Sequence, residues 1–148
     1  MAEGTNYKQL VDWVKLKSTE IPEIVQPMIH DDMSAINTDR EKQYPVILMK
    51  PTPGRFLDRT MEYKLYDMEI FCFDLDKREP EQSETLETVE EQWARLEGYL
   101  RTLVIKILEK YTDYVLTGQI EADYGHLKHN ARLNGCRVKF QIRVFHGC

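Results

Sequence analysis

His126, His129, Cys136, His146 and Cys148 gather in one short stretch of a 148-residue chain. Zinc takes about four nitrogen or sulfur ligands in a tetrahedral array, and an HxxH pair followed by a distant cysteine can supply them. The spacing here follows no standard zinc pattern. Cys136 and His146 fall on the same alternating positions of a strand, whereas His129 falls in a loop. Nucleophilic chemistry finds as little support, because a thiolate needs a neighbouring base or an electropositive setting. Cys72 sits inside the apolar run Ile70-Phe71-Cys72-Phe73 and Cys136 opens another apolar face, so both read as packing. Asp74, Asp76 and Glu79 bring carboxylates close enough for a divalent cation, but no glycine-centred loop shapes them. Glycine-rich phosphate loops, GxSxG and HExxH are absent. The expectation is a non-enzymatic protein without metal or cofactor, a small zinc-dependent enzyme being the catalytic alternative.

Charge offers a second kind of chemistry. Lys128, Arg132, Arg137, Lys139 and Arg143 follow Gly125 with no acid among them, and cations on a strand pair can track a phosphate backbone. The net charge of −5 opposes a general affinity for nucleic acid. Glu79, Glu81, Glu84, Glu87, Glu90, Glu91 and Glu97 face only Arg95 over the preceding stretch, so the two regions differ in sign. They are either two solvated faces or the two halves of a contact between copies, acidic face to basic face, of the kind that closes into a ring.

These residues must be held by a small set of elements. The most legible is a helix from Ser83 to about Tyr111, where Leu86, Val89, Trp93, Leu96, Leu100, Leu103, Val104, Ile107 and Leu108 keep three- and four-residue steps. Ser83 is the expected cap, with Glu84 and Glu87 at the positive end of the dipole and Lys106 and Lys110 at the negative end. Tyr7, Leu10, Val11 and Val14 mark a shorter amphipathic helix from Thr5 to about Lys17. A second helical spacing starts at Thr19 and is bent or split at Pro27, and the polar run Asn37 to Gln43 reads as a linker.

Val46-Ile47-Leu48-Met49, between Pro45 and Pro51, is short, continuous and apolar, which fits a strand buried on both faces. The loop from Pro51 to Thr60 leaves Arg55, Phe56, Leu57 and Arg59 to pack locally or to touch a partner. From Met61 the pattern alternates, with a change of phase at Leu65-Tyr66 that predicts a β-bulge or sharp bend. Tyr114 to Tyr124 and Cys136 to Val144 alternate most clearly. A hairpin folded about Asn130 sets Asp123 opposite Arg137 and Glu121 opposite Lys139, with a projecting loop from Gly125 to Gly135. The order helix-strand-strand-helix-strand-strand predicts an α+β fold: a four-stranded, mostly antiparallel sheet with the helix over 83–111 packed on one face. One domain is expected over 1–148, with a helical segment and linker over 1–43 and an α+β core over 44–148. No apolar run approaches the roughly eighteen residues of a membrane span, and Met1 to Asn6 lacks the character of a secretory signal.

From Tyr44 to Cys148 the pattern resembles small virion proteins of tailed bacteriophages, particularly crAss-like phages and others infecting Bacteroidetes. The resemblance rests on Tyr44-Pro-Val-Ile-Leu followed by a proline-containing loop, on Phe71-Cys-Phe-Asp-Leu-Asp76 before the long helix, and on Asn134-Gly-Cys-Arg-Val-Lys-Phe140 in the last strand. It departs at His129-Asn-Ala-Arg-Leu-Asn134, where the family's turn is more acidic. The resemblance implies a neck or tail-terminator subunit, made in the host cytoplasm and residing in the virion. Such a subunit forms a closed six-fold or twelve-fold ring against portal, neck or tail-tube proteins, and DNA can pass through its lumen. On that basis Glu84, Glu87, Glu90 and Glu91 of one copy are expected to face Arg132, Arg137, Lys139 and Arg143 of the next. The loop with Arg55, Phe56, Leu57 and Arg59 is expected to touch the next ring or the lumen. A cellular adaptor that binds a peptide at its sheet edge is the alternative from another class.

Overall fold

The computed structural model describes residues 5–32, 44–75, 87–110, 114–128 and 132–146. Its elements, in order, are α1 (Tyr7–Thr19), β1 (Ile29–His30), β2 (Val46–Met49), β3 (Gly54–Phe56), β4 (Tyr63–Leu75), α2 (Val89–Ile107), β5 (Tyr114–Lys128) and β6 (Arg132–Phe145). The fold is α+β, as the element order predicts, but among the described residues the sheet has six strands rather than four. Its order is β1-β2-β4-β6-β5, with β3 paired to β4 beside β2, and β1 runs parallel to β2 while the other pairs are antiparallel.

Both helices start from side-chain caps. Asn6 and Gln9 form a reciprocal capping box on α1, each side chain accepting the other's backbone N–H at 2.9 and 2.8 Å. On α2 the cap is Thr88, whose hydroxyl accepts Glu91 N–H at 3.1 Å, and Glu90 and Glu91 occupy the first turn. The expected span 83–111 is therefore too long at the start, because Glu87 and Thr88 precede the helix; Ser83 lies outside the described residues. At the other end Leu108 is the C-cap, and the Trp13 indole donates to Ile107 O at 3.0 Å, tying α1 to the end of α2.

Leu96, Leu100, Leu103, Val104 and Ile107 of α2 join Leu10, Val11 and Val14 of α1 over one face of the sheet. That face presents Ile47 and Met49, then Tyr66, Met68, Ile70 and Cys72, then Cys136, Val138, Phe140, Ile142 and Val144. A second, smaller cluster of Val46, Leu48, Phe73 and Leu133 lies on the other face. β2 is thus buried on both sides, as its continuous apolar run predicts. Gly135 belongs to this second cluster's floor: a Cβ there would lie 2.6 Å from two carbons of the Phe73 ring. Gly135→Ala is expected to cost about 1–3 kcal/mol in urea unfolding through overpacking. Phe73→Leu in the same chain should relieve most of that penalty.

Four expectations are corrected. The helical spacing after Thr19 gives turns and the short strand β1; Ile21, Ile24 and Met28 are buried without forming a helix. Part of the predicted loop from Pro51 to Thr60 is β3. The predicted bulge at Leu65-Tyr66 is absent, because β4 pairs with β6 without a slip from Tyr63↔Phe145 to Leu75↔Leu133. The extra residue sits in the neighbouring edge instead: Met49 faces Ile70 and Gly54 faces Tyr66, so residues 50–53 oppose only 67–69. Met61 and Tyr63 simply point outward. Finally, Gly125 pairs with Gly135 inside the hairpin, so the strands continue well into the stretch predicted to project as a loop. The charge register holds as predicted, with Glu121 opposite Lys139 and Asp123 opposite Arg137.

Candidate functional site

Three groups of side chains on this scaffold are candidates for function. The first is a polar cluster at the start of α2. Arg95 donates to Asp74 at 2.7 Å and with two nitrogens to Glu87 at 2.9 Å, which raises the guanidinium pKa, Glu87 contributing most. Asn134, fully buried, donates to Gln92 Oε1 and pairs with His126 Nδ1, while Gln92 donates to Leu75 O at 2.7 Å. These bonds run between α2 and the strand ends and satisfy groups that burial would otherwise leave without water. The cluster works as a fastener for the helix start. Trp93 continues it outward, packing on the rings of Tyr124 and His126 and donating to Gly125 O at 3.2 Å.

The second group is a ladder of charges across the helix-free face. Arg55 meets Asp67 at 3.0 Å, Gln141 donates to Asp67 at 2.7 Å, and Lys50 and Arg137 meet Glu69 at 3.8 and 3.2 Å. Arg137 also holds Asp123, and these two carboxylates, Asp123 first, raise its pKa. Arg137 of the basic strand β6 is therefore balanced from within. A smaller polar link joins α1 to the sheet: Thr52 N–H donates to the Tyr7 hydroxyl at 2.9 Å, and the hydroxyl lies 2.8 Å from His30 Nε2.

Burial, with Lys15 adding to it and Asp31 opposing, lowers the His30 pKa below its ordinary 6.5. The unfolded chain then binds more protons than the native one just below pH 6.5, so stability is full above that pH and falls as pH drops through the window. Urea midpoints measured from about pH 7.5 to 5.5 should show this decline, and His30→Gln should flatten it.

The third group consists of two exposed apolar edges on opposite sides of the sheet. On the β3 side, the turn between β3 and β4 presents Phe56, Leu57, Met61 and Tyr63 to solvent. Asp58 Oδ1 accepts from Thr60 N, Thr60 Oγ1 and Met61 N, which shapes the turn, and Met61 has a positive φ of 56°. Such backbone at a non-glycine residue stores strain of about 1–3 kcal/mol. The Lys64 ammonium lies over the Phe56 ring, and Arg143 over Tyr63. On the β5 side, a groove of about 510 Å³ runs between α2 and the outer strand, lined by Gly98, Arg101, Ile105, Ile120 and Ala122 among others. A bulge bends β5 here: Thr117 faces Gln141 and Glu121 faces Lys139, with Gly118 at φ +77°. Tyr124 donates to Glu97 at 2.7 Å on the rim, and that bond raises the phenol pKa to about 12.

The residues singled out from sequence fall across these groups. Glu87 and Arg137 are bound to partners within the chain, Glu90 and Glu91 are exposed at the start of α2, and Lys139 and Arg143 are exposed on β6. Glu84 and the side chain of Arg132 lie outside the described residues. Arg55 belongs to the charge ladder, whereas Phe56, Leu57 and Arg59 are exposed at the turn. Of the metal-binding candidates, His126 pairs with Asn134, while His129 and Cys148 lie outside the described residues. Among the described residues no group of three His, Cys, Asp or Glu side chains is placed to hold a metal ion. Cys72 and Cys136 face each other across β4 and β6 as buried free thiols, and burial raises both pKa values, that of Cys136 to about 12.

Alternation alone places Ile120 and Tyr124 inward, which hides the groove from a reading of the sequence. Ile105, which falls outside the helix's apolar stripe, is the one signal of it. Among the described residues, no helix is long and apolar enough to cross a membrane. Compared with known proteins, the chain matches no family model and no curated sequence.

Proposed function

We propose that this chain is a non-enzymatic structural subunit of a phage virion, assembled as a closed ring at the head-to-tail junction or tail terminus. The observation that carries the reading is that, among the described residues, β3 and β5 each pair with one strand and leave an edge bordered by exposed apolar side chains. Open edges of this kind invite pairing with another chain. The motifs that carry the phage resemblance fall on β2, on the end of β4 and on β6, the strands that build the sheet. Contacts between copies involve the exposed acids Glu90 and Glu91 with Lys139 and Arg143, joined by Glu84 and Arg132. Glu87 and Arg137 support them through their neighbours rather than directly.

The turn at Arg55 to Arg59 makes a contact outside its own copy. The ring is six-fold or twelve-fold, with DNA passing through its lumen. Light scattering on the purified chain tests this, the expected mass being six or twelve times the 17.6 kDa of one copy. A single-copy mass at every concentration contradicts it. A second reading, an adaptor that takes an extended peptide along β5, is favoured by the exposure of that strand from Gly118 to His126. A binder of this kind stays a monomer and captures peptides, whereas a ring subunit captures itself.

A further inference from the structure

Two apolar patches of different shape remain in solvent, a knob and a groove. The knob is the turn between β3 and β4, where Leu57 is 49% and Met61 54% exposed. The groove is walled by Ile105, 57% exposed, and Ile120, 44% exposed. β3 borders β4 on one side of the sheet and β5 borders β6 on the other, so β4 and β6 stand between knob and groove in any one copy.

Resting on the ring reading above, we infer that the knob of one copy seats in the groove between α2 and β5 of the next. Charge supports this choice of occupant. Around the knob stand Arg59, Lys64 and Arg143 against Asp58 and Glu62, Arg55 being held by Asp67. Around the groove stand Glu97 and, one turn before Ala94, Glu90, against Arg101. Opposite signs meet when knob enters groove, and like signs meet when knob faces knob or groove faces groove. Because the two patches differ and lie on opposite edges, filling one leaves the other open for a further copy. The contact is therefore heterologous, and it repeats until rotation closes it. Burying Leu57 and Met61 against Ile105 and Ile120 removes exposed apolar surface from both partners, as the centre of a specific interface does.

Leu57→Asp places an acid on the knob, and Ile120→Lys places a cation in the groove; both sites are exposed, and circular dichroism confirms that each variant keeps its fold. Each variant alone is expected to weaken self-association at least about tenfold. Mixed in equal amounts, they should form a two-copy species and stop there, since the mixture holds one intact knob and one intact groove. Rings that survive either substitution, or a mixture that associates no better than its components, overturn this contact while leaving the ring reading in place. A wild-type chain that never associates overturns both.

Discussion

Arg95→Met is expected to destabilise the fold by about 3–5 kcal/mol, through the countercharge it takes from the buried Asp74 at the start of α2. Asp74 is only 3% exposed, and Arg95 donates to its Oδ2 from α2. Removing the guanidinium takes the Arg95 countercharge from a buried carboxylate and the two Arg95 bonds from Glu87, just before the helix. The loss arises from the charge left behind rather than from the worth of the pair. Asp74→Asn combined with Arg95→Met should therefore recover a substantial part of the stability. Urea unfolding with an unchanged slope checks both variants. A loss under about 1 kcal/mol in the single variant would show that the cluster is solvated and that α2 is held by its apolar face alone.

Leu100→Ala is expected to cost about 2–5 kcal/mol by the cavity it opens between α2 and the sheet. Leu100 is fully buried in the main core cluster. Ile105→Ala, on the same helix but facing the groove, is the control and should stay within about 0.5 kcal/mol. The contrast separates the face of α2 that holds the fold from the face that is free for a partner. Comparable losses at both positions would mean that the groove wall belongs to the core.

Periodicity makes α1, α2 and the β5–β6 hairpin readable, because each buries a face whose spacing is fixed by local geometry, and β2 is readable from its unbroken apolar run. The cross-strand pairs Glu121–Lys139 and Asp123–Arg137 are legible too, since a hairpin's register is set by its own alternation. What escapes depends on partners distant in sequence. β1 is a strand only because Ile29 and His30 lie beside Leu48 and Met49, and β3 only because β4 offers Leu65 as a partner for Arg55. The phase change at Leu65-Tyr66 is a real signal with a different cause. It marks Met61 and Tyr63 as apolar residues on an open face, which is the knob, and not an irregularity in β4. The cap moves from Ser83 to Thr88 for a similar reason, as Glu87 is held by Arg95 outside the helix. In the candidate site, the pairing of Arg137 with Asp123 across the hairpin is legible, but its second partner is not, because it takes β4 to bring Glu69 beside Arg137.

Negative-stain electron microscopy of the purified chain separates a ring subunit from every other reading of these edges. Closed rings of six or twelve copies around a central opening are expected. Isolated single copies at all concentrations, or pairs related by a two-fold axis, would contradict the assembly proposed for this chain.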